Sequence, residues 1–408
     1  MDTANLAELT QWVTEAGLAG KSETAILDGF CNRAIAGGVP IARATVIIDT
    51  LHPIYEGRAF RWRHEADAGR AEQIEYGPSN QGEIAEGWRR SAFYYMLQTG
   101  SSMLRRRLCS GDPADFPAIS ELYAEGITDY LALINRFAAA GVIGEMDCVY
   151  SSWATDYPTG FDDRQIDALA TLMPKLALAI KCASLTRIAG TLAETYLGRD
   201  PARRVLGGRI GRGAVDQINA VLWYSDLRSF THITDSAPPA QIIALLNDYA
   251  EATISAIHDH DGDVLKLIGD GILAIFSYSD DPGGACASAI AAEAALRRRL
   301  EKLNEKRAAA GQPTTETYLG LHIGEVFYGN IGSRDRLDFT VIGPAVNEVA
   351  RIASMCRSAE REVLLSAGFA AAVGDGAPLV SVGRYALRGV ERPQELFTLA
   401  RASGQPGS

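Results

Sequence analysis

The stretch VLKLIGDGILAIF, residues 264–276, decides the fold of the C-terminal half of the chain. Branched and aromatic residues flank a Gly-Asp-Gly turn on both sides, and this pattern predicts a β-hairpin. The hairpin also carries two charges, Lys266 in its first arm and Asp270 at its turn. Because a buried charge is costly unless it is paired or bound to something, we expect both residues to have partners.

Strands and helices alternate on both sides of this hairpin, which is predicted over residues 264–278. An order of βαββαβ with helices on one face of a sheet is the ferredoxin-like plan, so the sequence predicts an α+β fold. The predicted strands cover residues 218–224, 318–332, 362–366, 384–387 and 395–400, and the predicted helices cover residues 239–258, 284–310 and 345–356.

The composition is that of an ordinary globular protein, with 47% hydrophobic and 22% charged residues among 408. This length favours two domains. The formal net charge of −11 argues against nucleic acid as a partner, because neutralising its phosphates requires a basic surface. A local basic pocket for a small phosphate ligand is compatible with this charge.

Cysteine use and hydropathy predict a cytoplasmic protein. The six cysteines are scattered without metal-ligand spacing, so we expect reduced core thiols. The N-terminal stretch MDTANLAELTQWV does not have the pattern of a signal peptide, and we expect no apolar run that is long enough to cross a bilayer. No membrane partner is therefore predicted.

A change of composition near residue 200 separates the two halves. The segment GRDPARRVLGGRIGRG, residues 198–213, is rich in glycine and arginine and is predicted to be a connector. The helical pattern over residues 162–197 contains Pro174, which predicts a kink or a bend. Its apolar stripe either packs on its own domain or pairs with a second copy. The stripe consists of Ile166, Leu169, Met173, Leu176 and Ile180.

Two aspartates in the C-terminal half are candidate metal ligands. The strand VLWYSD ends at Asp226, where a carboxylate can hold a hard cation and the amides near Phe230 and Thr231 can face phosphate oxygens. If this strand lies beside the hairpin, the carboxylate of Asp270 lies next to that of Asp226. Two such acids could bridge two magnesium ions, although each aspartate alone is more often a turn former.

The ordered segments SDLRSFT, KLIGDG, LHIGEVFYGNIGS and TVIGPAVNEVAR resemble the catalytic domain of class III nucleotidyl cyclases. The resemblance covers roughly residues 215–400. It implies that Asp226 and Asp270 bind Mg²⁺ or Mn²⁺, two ions per site, and that Lys266 and Thr340 read the purine base. An adenylate cyclase activity is implied, in which the 3′-hydroxyl of ATP attacks the α-phosphate to form cyclic AMP and pyrophosphate.

The same resemblance implies three further roles. Asn347 and Arg351, four residues apart on one face of a predicted helix, would orient the ribose and stabilise charge on the reacting phosphate. The late segment YALRGVERP resembles the family segment with a triphosphate-binding lysine, and Arg388 or Arg392 would take that role here.

The family pairs two catalytic domains head to tail, which implies a homodimer with shared sites. Lys266 and Asp270 would then each meet ligand, in different sites.

Thr340 departs from many family members, which have aspartate at this position. Adenine presents an acceptor at N1 and donor hydrogens at N6, so a lysine can donate to the first and a threonine hydroxyl can accept from the second. Guanine would present its N1–H donor to Lys266, so ATP is favoured over GTP. The alternatives are a cyclase for GTP or a pyrimidine triphosphate, and an inactive nucleotide-binding or dimerisation module.

The N-terminal half contains strand-like stretches over residues 45–51 and 144–154. The second stretch is followed by TDYPTGFDDRQIDALATLMPKLALAI, and together they resemble the close of a GAF domain, in which a Gly-Phe-Asp-Asp cap opens the last helix. The resemblance implies either a sensor for an unknown small-molecule ligand or signal, or a scaffold for dimerisation. Its aromatic residues could line a pocket or form the core.

The complete prediction is an α+β chain with a ferredoxin-like βαββαβ catalytic domain, preceded by a GAF-like α/β sensor domain and a helical linker. The predicted boundaries are 1–165 for the sensor domain, 166–213 for the dimerisation stalk and linker, 214–400 for the cyclase domain and 401–408 for a tail.

Overall fold

The structure, a computed structural model, describes residues 1–64, 71–78, 82–137, 143–144, 146–387 and 393–400. The chain divides into two compact units, Met1–Leu192 and Ala193–Ser408. The boundaries predicted from the sequence stay a prediction. Each unit is described below by itself.

The described part of the N-terminal unit is built on a six-stranded antiparallel sheet, in the order β3-β2-β1-β6-β5-β4. The strands are β1 Arg43–Asp49, β2 Gly57–Arg63, β3 Glu72–Tyr76, β4 Met103–Arg106, β5 Asp129–Arg136 and β6 Cys148–Thr155. The helices are α1 Thr3–Leu18, α2 Glu23–Ala36, α3 Gly82–Arg89, α4 Ala92–Thr99, α5 Pro117–Ala124 and α6 Asp163–Leu197.

This sheet has a different covering on each face. One face packs on α1, α2 and α6 around a core that includes Phe30, Trp153 and Leu169. The other face packs on α4 and α5, with Phe93 and Ile119 in a second core. An antiparallel sheet with helices on both faces is compatible with the predicted GAF-like domain.

The predicted cap of α6 is confirmed. The Asp162 carboxylate accepts a hydrogen bond from the Gln165 backbone N–H at 2.7 Å, and the Gln165 side chain accepts one from the Asp162 N–H at 2.9 Å. This reciprocal pair is a capping box with aspartate as the first member. The helix continues through Pro174.

The apolar stripe of α6 packs in the core of the N-terminal unit, which is one of the two alternatives that the sequence left open. In the described part of the chain, α6 is the one helix that is long and apolar enough to cross a membrane by length and composition, with a mean hydropathy of 1.4 in its most apolar window. The expectation that no run reaches this length was therefore wrong. Half of that window is buried inside the protein.

The described C-terminal unit contains an eight-stranded sheet. Its strands are β7 Val215–Leu227, β8 Asp263–Ile268, β9 Gly271–Tyr278, β10 Thr317–Gly332, β11 Leu337–Ile342, β12 Val363–Ser366, β13 Leu379–Tyr385 and β14 Gln394–Leu399. The helices are α7 Arg199–Leu206, α8 Phe230–Ser236, α9 Pro239–His258, α10 Pro282–Ala309, α11 Pro344–Met355 and α12 Ala367–Val373.

The ferredoxin-like plan is confirmed. The main path of the sheet is β13-β14-β12-β10-β7-β9-β8, and β11 pairs with β10. The order β10-β7-β9-β8 is the antiparallel centre of a βαββαβ unit whose helices are α9 and α10. Both helices pack on one face of the sheet, while α11 and β11 cover the opposite face. This second face, which we name the α11 face, contains Leu222, Leu273 and Val349.

The segment predicted to be a connector contains a short helix that the sequence did not reveal. Residues 198–213 include the helix α7, which the abundance of glycine and arginine in this segment concealed. The Asp200 carboxylate accepts a hydrogen bond from Arg204 Nε at 2.6 Å, an i,i+4 pair that stabilises the helix. Pro201 stands in its first turn, where a proline is tolerated because the N–H groups there have no partner within the helix.

Candidate active site

Asp226 and Asp270 lie together at one end of the sheet. Strands β7 and β9 pair antiparallel with Ser225 opposite Ile272, so the end of β7 lies beside the turn that precedes β9. The two carboxyl groups lie close enough to interact directly. Burial, followed by the contact with Asp270 and its charge, raises the pKa of Asp226 to about 6. The structure therefore brings Asp226 and Asp270 together, as expected from the sequence.

This pair of carboxylates fits a divalent cation. Two adjacent carboxylates repel each other when both are ionised, and a hard cation that prefers oxygen ligands removes this repulsion. Within the described residues, no group of three or more His, Cys, Asp and Glu side chains is arranged to hold a metal ion. Any further ligands would come from other oxygen donors, such as backbone carbonyls, water or phosphate oxygens of a substrate.

A β-bulge turns Lys266 toward the α11 face. Val264 lies opposite Ala274, whereas Lys266 lies opposite Leu273, so the register shifts between them. A bulge adds one residue to one strand and changes the side on which the next side chain emerges. Lys266 consequently shares a face with Leu273, which packs toward β11 and α11.

Lys266 forms an ion pair with Asp338 at the start of β11. The sequence did not predict this partner from the same chain, and the assignment of Lys266 to a ligand stays a prediction. Thr340 follows two residues later on β11 and is buried. The structure thus brings Lys266 and the strand of Thr340 together, as the base-reading assignment requires.

Phe230 and Thr231 begin the short helix α8, after the two residues that follow β7. Ser229, the residue before this helix, has a left-handed conformation with φ 58°, and its side chain does not cap the helix. Phe230 is half-buried and Thr231 is exposed. Their assignment to phosphate binding stays a prediction. Arg388 and Arg392 lie outside the described residues.

Helix α11 carries Asn347 and Arg351 and lies unusually close to β10. Asn347 is exposed and Arg351 is half-buried, one turn apart. A Cβ atom on Gly320 would lie 2.7 Å from both the Val349 carbonyl oxygen and the Ala353 nitrogen. Only a glycine leaves room for the helix backbone at this point. Gly324, inside the motif LHIGEVFYGNIGS, lies equally close to α11, because a Cβ there would be 2.7 Å from the Ala345 Cβ.

The family model described as the adenylate and guanylate cyclase catalytic domain matches residues 215–400, just under half of the chain. This part of the chain is a class III nucleotidyl cyclase domain. Domains of this family bind nucleotides, act as dimers and are generally metal-dependent.

Relatives of known sequence and structure cover the same part of the chain. Adenylate cyclase 1 of Rhizobium meliloti is 25% identical over 207 residues, 50% of this chain and 30% of that protein. An adenylate cyclase of Anabaena cylindrica is 32% identical over 158 residues, 38% of this chain and 30% of that protein. The solved adenylyl cyclase CyaB from P. aeruginosa is 23% identical with a TM-score of 0.43, and the match covers 47% of this chain and 99% of that chain. The chain thus spans less than a third of the length of these two curated relatives.

Sequence reasoning missed two residues beside the paired aspartates of the cyclase domain. Tyr224 is half-buried, and burial together with the charges of Asp226 and Asp270 raises its pKa. The period of two along a strand could have revealed it, because Tyr224 and Asp226 lie on the same face of β7. Arg357, just beyond α11, weakly opposes the rise in the pKa of Asp226 through its positive charge. No sequence signal pointed to this arginine.

Proposed function

We propose that the chain is an adenylate cyclase that converts ATP to 3′,5′-cyclic AMP and pyrophosphate by attack of the ribose 3′-hydroxyl on the α-phosphate. The observation that carries this proposal is the contact between Asp226 and Asp270 at the end of β7 and the turn before β9. It occurs in a cyclase domain in which Lys266, the residue that would read the base, stands on the same hairpin as Asp270.

Asp226 and Asp270 would hold the metal ions, Mg²⁺ or Mn²⁺, two per site. Bound there, the ions would lower the pKa of the attacking hydroxyl and offset the charge of the triphosphate. The two carboxylates position the ions at the end of the sheet, where β7 passes into α8. Half-burial limits the water around Asp226 and strengthens its attraction for a cation.

Lys266 and Thr340 would select adenine. The lysine donates to adenine N1, and the buried threonine hydroxyl accepts from the N6 amino group. Guanine would bring its N1–H against the ammonium group and leave donors without acceptors, which costs orders of magnitude in the specificity constant. Support comes from the ion pair that holds Lys266 beside the strand of Thr340.

Asn347 and Arg351 would act on the ribose and on the reacting phosphate. Their helix α11 is held against β10 by backbone contacts at Gly320, so both side chains stand on a rigid support. Arg351 can stabilise the charge that develops on the α-phosphate. The amides at Phe230 and Thr231, together with Arg388, would bind the remaining phosphate oxygens.

We infer that two copies form a homodimer and share two active sites. Asp226 and Asp270 of one protomer would supply the metal site, and Lys266, Thr340, Asn347 and Arg351 of its partner would complete it. Lys266 and Asp270 would then serve different sites although they stand on one hairpin.

The N-terminal domain would regulate the cyclase through a small-molecule ligand. A cavity of about 920 Å³ lies between its sheet and α3, α4 and α5, a volume in the range of ligand sites. Aromatic and charged side chains line it, including Trp62, Trp88, Tyr130, Tyr150, Asp49 and Arg61. We also infer a cytoplasmic location, because all six cysteines are free thiols.

The test is to identify the products. Purified protein is incubated separately with ATP, GTP, CTP and UTP, each with Mg²⁺ or Mn²⁺, and the products are separated by chromatography. The proposal expects cyclic AMP from ATP at the highest kcat/KM, and activity lower by several orders of magnitude in Asp270→Asn. Cyclic product mainly from another nucleotide would contradict the specificity, and no cyclic product from any of them would contradict the activity.

A further inference from the structure

Asp338 stands beside the base-reading residues but has no assigned role. It is the second residue of β11, at the exposed end of this strand, and its carboxylate pairs with the Lys266 ammonium group on β8. On a strand, residues two apart share a face at a spacing of about 7 Å. Asp338 and Thr340 therefore lie on the same side of β11. The residues that alternate with them, Phe339 and Val341, point to the other side and are buried in the core of the α11 face.

A single ammonium group can serve Asp338 and a base at the same time. Lysine carries three N–H donors, so one can be donated to the carboxylate while another points at adenine N1. The side chain of lysine also has four rotatable bonds, and ordering it costs free energy when a ligand binds. A carboxylate that fixes the ammonium group beforehand removes part of this cost.

We propose that Asp338 is a positioning residue that holds Lys266 in the orientation that reads adenine. This inference rests on the proposed adenylate cyclase function. The β-bulge before Lys266 turns its side chain toward β11, and Asp338 then fixes where the ammonium group lies relative to Thr340. Three residues, rather than two, set the preference for the base.

The size of the effect follows from the exposure of the pair. The Lys266 side chain is 33% exposed and that of Asp338 is 49% exposed, so solvent screens their attraction. Partly exposed pairs of this kind change an equilibrium about two- to fivefold. Because the pair orders the base site and does not touch the reacting phosphate, the change belongs in KM rather than in kcat.

The experiment measures KM and kcat for ATP and GTP in the full chain with Mg²⁺. Asp338→Asn keeps the shape and removes the charge, and Asp338→Glu restores the charge. Asp335→Asn is the matched control, in the β10–β11 connection three residues before Asp338. The proposal expects Asp338→Asn to raise KM for ATP about two- to fivefold with kcat within twofold, and to lower the preference for ATP over GTP by the same factor. Asp338→Glu recovers part of this loss, and Asp335→Asn behaves as wild type.

A second arm repeats the Asp338→Asn change in a Lys266→Met background. If Asp338 acts through Lys266, the change has no further effect on KM there, whereas a purely structural role would lower thermal stability and activity in both backgrounds. An unchanged or lower KM in Asp338→Asn, or equal losses in both backgrounds, overturns the inference while leaving the cyclase proposal intact. Absence of cyclic AMP production in the wild type instead refutes the proposed function itself.

Discussion

Gly320→Ala is expected to damage the cyclase domain by pushing α11 away from β10. The added Cβ would meet the Val349 oxygen and the Ala353 nitrogen at 2.7 Å and the Ala353 Cβ at 3.0 Å, whereas ordinary contacts lie at 3.4–4 Å. The first two atoms belong to the helix backbone, so no side-chain rotation can relieve the clash. The helix must retreat locally by about 0.7–1 Å to recover normal packing.

Two consequences follow from this displacement. Overpacking of a close-packed core costs about 1–3 kcal/mol of unfolding free energy, which exceeds the gain of about 0.4–1 kcal/mol that alanine brings by restricting the unfolded chain. A shift of about 1 Å in catalytic groups can lower the rate by about 100-fold. Asn347 and Arg351 stand on the displaced helix, so we expect kcat for ATP to fall by about 10- to 100-fold.

Urea unfolding of the cyclase domain and initial rates of cyclic AMP formation measure the two effects. Gly211→Ala is the matched control in the same unit, because a Cβ there meets only the Ala214 Cβ at 3.9 Å and its backbone does not have a positive φ. The reasoning is refuted if Gly320→Ala unfolds at the urea midpoint of Gly211→Ala, or if it loses stability while kcat is unchanged.

Three other perturbations test separate parts of the site. Asp270→Asn should abolish the rise in melting temperature that Mg²⁺ or Mn²⁺ gives the wild type, because one of two carboxylate ligands is gone; an equal rise in both proteins would disprove the metal assignment. Lys266→Glu combined with Thr340→Cys should reduce kcat/KM for ATP far more than for GTP, and an unchanged ratio would show that the base is read elsewhere. Burial lowers the pKa of His322 more than the facing Glu348 carboxylate, 3.5 Å away, raises it. The stability that neutral His322 contributes above its unfolded pKa of about 6.5 should therefore be lost as the pH falls through the lower folded value, and His322→Gln should flatten that part of the urea-midpoint profile.

Local patterns in the sequence were sufficient for much of the fold. The hairpin with the turn at Asp270 and the helix Pro239–His258 are found where the sequence places them, because alternation, turn residues and helical periodicity are local signals. The connector helix α7 was missed because such local signals are absent from its sequence. Its glycine- and arginine-rich surroundings give no apolar period, and its support includes the Arg204–Asp216 ion pair with the neighbouring strand β7.

The site was predictable only as far as its residues are joined by sequence motifs. Asp226 and Asp270 could be paired because adjacent strands bring their ends together. The partner of Lys266 could not be found, because Asp338 lies 72 residues away and meets it only through a bulge in β8 and the packing of β11. A bulge changes the side on which Lys266 emerges, and VLKLIG contains no glycine or other signal before the lysine to announce it.

Mixed dimers test the central claim most directly, because they ask whether two chains build one cyclase site. One chain carries Asp226→Asn and Asp270→Asn, the other carries Lys266→Ala and Asn347→Ala, and the two are co-expressed with different affinity tags. Each homodimer has two broken sites, whereas a mixed dimer collects all lesions in one site and leaves the other intact.

The account predicts that each variant alone is inactive and that the purified mixed dimer forms cyclic AMP from ATP at about half the wild-type rate per dimer, or about a quarter in an unsorted random mixture. A purified mixed dimer as inactive as its parents would contradict the account, because all these residues would then act within one chain.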